Sequence, residues 1–337
     1  MQQYNTTTVK WLIVVMTTII IIVSTVYEGR VTPVAASISN PVIITVQPGM
    51  SANEIGNLLY ERGLIQSVMV FHLAAKMHNL ENSLQAGEYA FTREMSVQQI
   101  VARLAKGETA YRQITIPEGY SVEQIARLVE EKNLGSSEKF KAAARDYTPY
   151  AYMATANTGV TYKSEGYIFP DTYRIARGTT EEQLLSMMVS QFDEQFTPVM
   201  RARVKELGLS IREVVILASL VEKEAQLAQD RPLIAGAFFN RIRQDMPLQS
   251  CATIQYILGY PKAELSIEDT MIASPYNTYQ NKGLPPGPIA NPGKAAIQAV
   301  LYPAVTDYLY FVADKQGAHH FSRTYEEHLA AIEQVRK

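Results

Sequence analysis

One pattern of apolar and polar positions occurs twice in this chain. ITVQPGMSANEIGNLLYERGL, from Ile44, and ITIPEGYSVEQIARLVEEKNL, from Ile114, match at an offset of 70 residues. Each predicts a β-branched strand, a turn at Gly49 or Gly119, and a helix N-capped by Ser51 or Ser121. The helical stripes are Ile55, Leu58 and Leu59 in one copy and Ile125, Leu128 and Val129 in the other. Between the copies GEYAF, from Gly87, alternates as a strand and leads to a helix capped by Ser96, with Ile100, Val101 and Leu104 inward. The region is built from small βα pieces. Modules of the LysM carbohydrate-binding type are assembled this way, and a structural spacer is the other reading.

Further along, EGYIFPDTYR from Glu165 reads as a loop-strand segment, and a helix from about Glu181 carries Leu184, Leu185, Met188 and Phe192. Two more helices follow, VVILASLVEKEA from Val214 and RPLIAGAFFNRIR past Asp230. The stretch Ser274 to Gly293 holds too much Gly, Pro and Asn for regular structure, so it predicts a shaped loop, and such loops carry function. At the other end, WLIVVMTTIIIIVSTVY from Trp11 to Tyr27 has no charge and spans ~26 Å as a helix, enough for a bilayer core. Trp11 and Tyr27 suit the two interfaces. An uncleaved anchor is favoured over a signal peptide cut near Val34-Ala35-Ala36, because the apolar stretch is longer than a signal core and far from that site.

Composition narrows the partners. The chain has 337 residues with a net charge of -2, and its lysines and arginines are scattered, which excludes a nucleic-acid surface. Its single cysteine, Cys251, cannot form an internal disulfide and reads as packing. His319, His320 and His328 fit no zinc spacing, so no metal or other cofactor is expected.

One carboxylate breaks the pattern. Val214, Leu217, Leu220 and Val221 form a stripe, and Glu224 stands three, four and seven positions after the last three, on the same face. Glu222 falls at the flank and Lys223 opposite, as solvated charges do. A carboxyl taken out of water has a raised pKa and suits a general acid near neutral pH. The structural alternative is a carboxylate satisfied by a buried hydrogen bond or by a nearby arginine such as Arg231 or Arg241.

Five segments resemble the YceG-like family of endolytic murein transglycosylases: EGYIFPDTY, ILASLVEKEA, FFNRIRQDMPLQS, YNTYQNKGLPPGPIANPG and YLYFVADKQGAHHF, in that order. The resemblance implies a membrane-anchored bacterial enzyme that cuts peptidoglycan strands, with the second glutamate of E-K-E, Glu224, as catalytic residue. It also implies a substrate site at Gln249, Tyr276, Asn277, Thr278 and Tyr279, with Asn277 and Gln249 on N-acetyl groups and a tyrosine stacked on a sugar face; Glu165 joins this substrate-binding set from its place in an aromatic-rich loop. Glu165 is placed in a cleft wall, orienting sugar or pairing with an arginine, while Asn240 and Arg241 read as structural. One departure stands out. Where the family commonly has Thr or Ser, Asp, Pro and Thr after Leu-Gln, this chain has Ser250, Cys251, Ala252 and Thr253.

Lytic transglycosylases, as the resemblance implies, cleave the β-1,4 bond after N-acetylmuramic acid without water, the muramyl 6-hydroxyl closing onto C1 to leave a 1,6-anhydro end. One carboxyl suffices there, whereas ordinary glycosidases use two. The expected architecture is α+β: a tail at 1–10, a transmembrane helix at 11–29, a linker at 30–43, a LysM-like module at 44–110 and a catalytic domain at 111–337. The expected place is the bacterial inner membrane, with the catalytic part outside the cytoplasm and cell-wall synthesis proteins as partners. A silent peptidoglycan-binding scaffold, and a muramidase using Glu165 as second carboxylate, are the rivals.

Overall fold

Two hydrophobic cores organise the chain in the computed structural model, which describes residue 11 and residues 15–18, 32–34, 40–176, 178–262 and 264–336. Most of the expected anchor at 11–29 lies outside the described residues, and among those described no helix is long and apolar enough to cross a membrane. The chain divides into a unit ending at Arg112 and a unit beginning at Gln113.

In the first unit the strand Val42–Val46 runs antiparallel to Gly87–Phe91, with Ile44 opposite Tyr89. Alternation puts Ile44, Val46, Tyr89 and Phe91 on one buried face, against which the helices Ala52–Glu61, Val68–Met77 and Val97–Ala105 pack Ile55, Leu59, Phe71, Ile100 and Leu104. Ser51 and Ser96 each accept from the N–H three residues on, and Glu54 and Gln99 reach back to complete capping boxes.

The second copy of the repeat behaves the same way in the second unit. Ser121 caps the helix Val122–Glu131 in a box with Gln124, and Gly49 and Gly119 both take left-handed backbone, φ +86° and +75°, at the turn before their helices. Its strand Tyr111–Thr115 pairs with Thr172–Ala176 rather than with a strand of the first copy. Glu181–Gln195 forms the expected helix, with Leu184, Leu185, Met188 and Phe192 buried.

At the centre of this unit lies the helix Ile211–Glu224. Every residue from Val214 to Val221 is buried, so this helix has no solvent face over two turns, where the sequence shows only a stripe. The helices Pro198–Glu206, Arg231–Arg243, Cys251–Leu258 and Lys294–Leu301 surround it. Packing on all sides overrides the 3.6-residue alternation and fixes the position of the helix end, where Glu224 is the last residue. A hairpin of Tyr310–Ala313 and His319–Ser322 and a last helix, Tyr325–Arg336, complete the unit.

Candidate active site

Glu224 sits where one helix ends and another begins. Ser250 is the N-cap residue of Cys251–Leu258, yet its side chain does not cap that helix; its hydroxyl donates to the Glu224 carboxylate instead. The Ala252 N–H, in the first turn of that helix, is near enough to favour the ionised form of Glu224. The carboxylate thus lies at the N-terminal end of that helix, where a negative charge is favoured. The residue as a whole keeps partial exposure, but its carboxyl is enclosed by protein, and desolvation pushes its pKa above the ordinary value. The Ser250 hydroxyl, the Ala252 N–H and the charges of His319 and Arg241 pull the other way. A carboxyl that burial holds toward its neutral form, while donors support its ionised form, has what is needed both to give and to take back a proton.

The departure at 250–253 has a direct consequence. A proline at position 252 has no N–H, whereas the N–H of Ala252 helps to lower the pKa of Glu224. Cys251, expected to pack, is exposed instead, with Sγ 3.1 Å from the Tyr279 hydroxyl.

Neighbouring charges sort differently from the sequence reading. Glu222, expected to be solvated, has a side chain only 7% exposed; it lies 3.5 Å from Arg231 and accepts the Gly293 N–H at 3.0 Å. Arg231 is therefore the partner of Glu222 and not of Glu224. Arg241 is a brace as well as a nearby charge. It donates to the carbonyls of Leu248 and Leu309 and to the Gln249 side chain, while Asn240 holds the carbonyls of Thr306 and Tyr308.

The expected binding residues divide into two groups. Thr278 and Tyr279 converge on the acid: the Thr278 hydroxyl accepts the Ser250 N–H and meets Thr253 at 3.0 Å, and Tyr279 lies close enough for Glu224 to act on its ionisation. Gln249 is beside them in a left-handed backbone, φ +49°, uncommon for a residue with a side chain. Its N–H donates to the Thr278 carbonyl, and its amide oxygen accepts from Arg241. Asn277 is fully buried, with its amide hydrogens on the carbonyls of Thr270 and Ile272 and its oxygen on the Tyr279 N–H. Its polar atoms brace the 274–293 loop, so it has none left for a sugar.

Glu165 and Tyr276 belong to a second group. Among the described residues Glu165 pairs with no arginine: both carboxyl oxygens lie 3.1 Å from the Val122 N–H, and Asn291 donates to it at 2.9 Å. Burial pushes its pKa up to about 8 against those donors. Asn291, fully buried, also accepts the Ile168 N–H and donates to the Tyr120 carbonyl, which ties three distant segments together. Beside Glu165 is a cavity of about 610 Å³ walled by Tyr162, Tyr256 and Tyr276. Ala252 and Lys223 reach its lining, so it comes within one residue of the acid.

One pair escaped the sequence reading. Asp230 and His319 are 89 residues apart, and the buried Asp230 carboxylate accepts from the His319 main chain at 2.9 Å and lies 3.0 Å from its Nδ1. Gly317 seats against Gln226, so the hairpin turn packs on the 225–230 segment and brings His319 to the neighbourhood of Glu224. Among the described residues no cluster of His, Cys, Asp and Glu is suited to hold a metal ion.

The resemblance in the sequence extends over most of the chain and into both units. Endolytic murein transglycosylase from Streptococcus pneumoniae is 36% identical over 325 residues, which covers 88% of this chain and 58% of that protein. The chain thus spans a little over half the length of that relative. The protein of the same name from Bacillus subtilis is 33% identical over 313 residues, 89% of this chain and 86% of its own. A crystal structure of a YceG-like protein from Listeria monocytogenes superposes with a TM-score of 0.61 at 33% identity, over 87% of this chain and all of that one. The sequence profile of the YceG-like family matches residues 44–334, and by this match the chain belongs to the YceG-like family.

Proposed function

We propose that this chain is an endolytic lytic transglycosylase of peptidoglycan with Glu224 as its single acid/base. The observation that carries the reading is a carboxyl raised by burial yet furnished with donors for its ionised form. Glu224 first protonates the oxygen leaving C1 of the muramyl residue, and that C–O bond breaks. The resulting carboxylate, stabilised by Ser250, Ala252 and Arg241, then takes the proton of the muramyl 6-hydroxyl as its oxygen bonds to C1. No water enters, and Glu224 returns to its starting form. Tyr279 and Gln249 flank the acid as contacts for the sugars, while Thr278 holds the loop that carries them.

Glu165 suits binding better than nucleophilic attack: with a pKa of about 8 it is mostly uncharged at neutral pH, and a nucleophilic carboxylate must be ionised. The 44–110 region is read as a LysM-like module, supported by its strand, two helices, strand order around one antiparallel pair. Residues 11–29 are read as a membrane anchor that keeps the catalytic part outside the cytoplasm near nascent strands, with cell-wall synthesis proteins as partners. Their uncharged apolar sequence supports this.

Mass spectrometry of glycan fragments after incubation of peptidoglycan with the full chain, wild type and Glu224→Gln, tests the function. Anhydromuramyl ends from the wild type alone are expected, with the variant slowed by at least about a hundredfold, the usual worth of a general acid. Reducing ends would favour a muramidase, and no cleavage by either protein a binding scaffold.

A further inference from the structure

The cavity beside Glu165 carries charges that a glycan strand has no use for. Its walls are the rings of Tyr162, Tyr256 and Tyr276, and Arg127 and Lys223 also line it. Both cations are exposed, and among the described residues neither forms an ion pair; Lys223 Nζ reaches the Gly119 carbonyl at 3.4 Å. The lining carboxylate Glu123 is already engaged by the Tyr162 hydroxyl and by Lys141 at 3.6 Å. Set against Glu123, with Glu165 held mostly uncharged, Arg127 and Lys223 leave the lining with a surplus of one positive charge and two cationic groups without an ionic partner.

We propose that this cavity receives the peptide borne by the muramyl residue at the cleavage point, with Arg127 and Lys223 taking its carboxylates. The inference rests on the transglycosylase reading and deepens it. A β-1,4 strand of N-acetylated sugars is uncharged, and peptidoglycan keeps its ionised groups on the stem peptides. The planar fork of an arginine matches a carboxylate, and the tyrosine faces cover the aliphatic parts of a short peptide. At about 610 Å³ the cavity lies within the range of ligand sites and is large enough for a few residues. Its position fits the substrate's connectivity. The peptide branches from the same sugar whose C1–O bond is broken, and the cavity abuts the acid through Lys223, its chain neighbour, and Ala252, which follows Ser250 and Cys251 where the Ser250 hydroxyl meets Glu224.

The test separates this assignment from the activity beneath it. Calorimetric titration of the full chain carrying Glu224→Gln with the peptide L-alanyl-γ-D-glutamyl-L-lysine reads the cavity alone, with chitotetraose as an uncharged control. The peptide is expected to bind, and adding Arg127→Glu to weaken it about tenfold or more, the worth of one charge-assisted hydrogen bond, with chitotetraose unaffected. Circular dichroism checks that the variants fold. Absence of peptide binding, or binding indifferent to the charge reversal, would overturn the proposal. In parallel, the otherwise wild-type chain is given intact strands and strands stripped of peptide. Faster cleavage of intact strands, with the preference erased by Arg127→Glu, supports the proposal, and equal rates on the two strands count against it. Cleavage of neither strand alongside Arg127-dependent peptide binding would remove the transglycosylase reading and leave the cavity assignment standing.

Discussion

At residue scale two buried carboxyls are tuned by different surroundings, and each yields a prediction. Glu224 is raised by burial and lowered by Ser250 and Ala252. Ala252→Pro deletes one donor at a first-turn position that tolerates proline, so the pKa of the acid should rise. A general acid works while protonated, so the basic limb of kcat/KM against pH should move upward; a limb that stays in place would show that the N–H does not tune Glu224. Glu165 bears on stability. Its folded pKa of about 8 lies above the ordinary 4.5, so the folded state holds its proton more tightly than the unfolded state. Its contribution is fully present below about pH 4.5 and is lost as pH rises to about 8, a change on the order of a few kcal/mol. Glu165→Gln keeps an acceptor for Val122 and Asn291 without that proton. The stability advantage of the variant in urea unfolding should therefore grow from pH 4.5 to pH 8, and a constant difference would count against the raised pKa.

At the scale of elements, the turn after Glu165 depends on a close approach. Gly166 has φ +88°, and a Cβ there would come within 2.5 Å of Pro288 and 2.7 Å of Val215. The central helix and the 274–293 loop both press on this backbone. Gly166→Ala should cost roughly 2–4 kcal/mol, combining left-handed strain with overpacking, as read from the urea midpoint. A loss under about 0.5 kcal/mol, the scale of a surface substitution, would show that the turn has room. The helices themselves were legible. Ser51, Ser96 and Ser121 each cap a helix that the apolar spacing predicts, because caps and stripes are local. The 274–293 segment was legible as a shaped loop, but not the part of Asn277, whose three polar contacts lie two to seven residues away in a fold of that loop.

For the molecule as a whole, the two cores share no residue: one uses side chains from Ile44 to Leu104 and the other begins at Ile114. Two calorimetric transitions are expected, one of which persists in a fragment of residues 113–337, since separate cores unfold as separate cooperative units. A single transition in the full chain that is absent from the fragment would contradict this.

The sequence by itself determined the features that arise from neighbours within a turn or two. The repeated strand and capped helix, the helix that carries Glu224, and the place of Glu224 in line with the apolar stripe of that helix all follow from period and capping. Tertiary structure decided whatever depends on groups far apart in the chain. It set Glu222 in a buried contact with Arg231, gave Glu165 the Val122 N–H and Asn291 instead of an arginine, and joined Asp230 to His319 across 89 residues. It also turned Ser250 and Ala252, which look like ordinary first-turn residues, onto the acid. A carboxyl's pKa is set by burial and by donors within a few ångströms, and periodicity supplies the first while only the folded chain supplies the second.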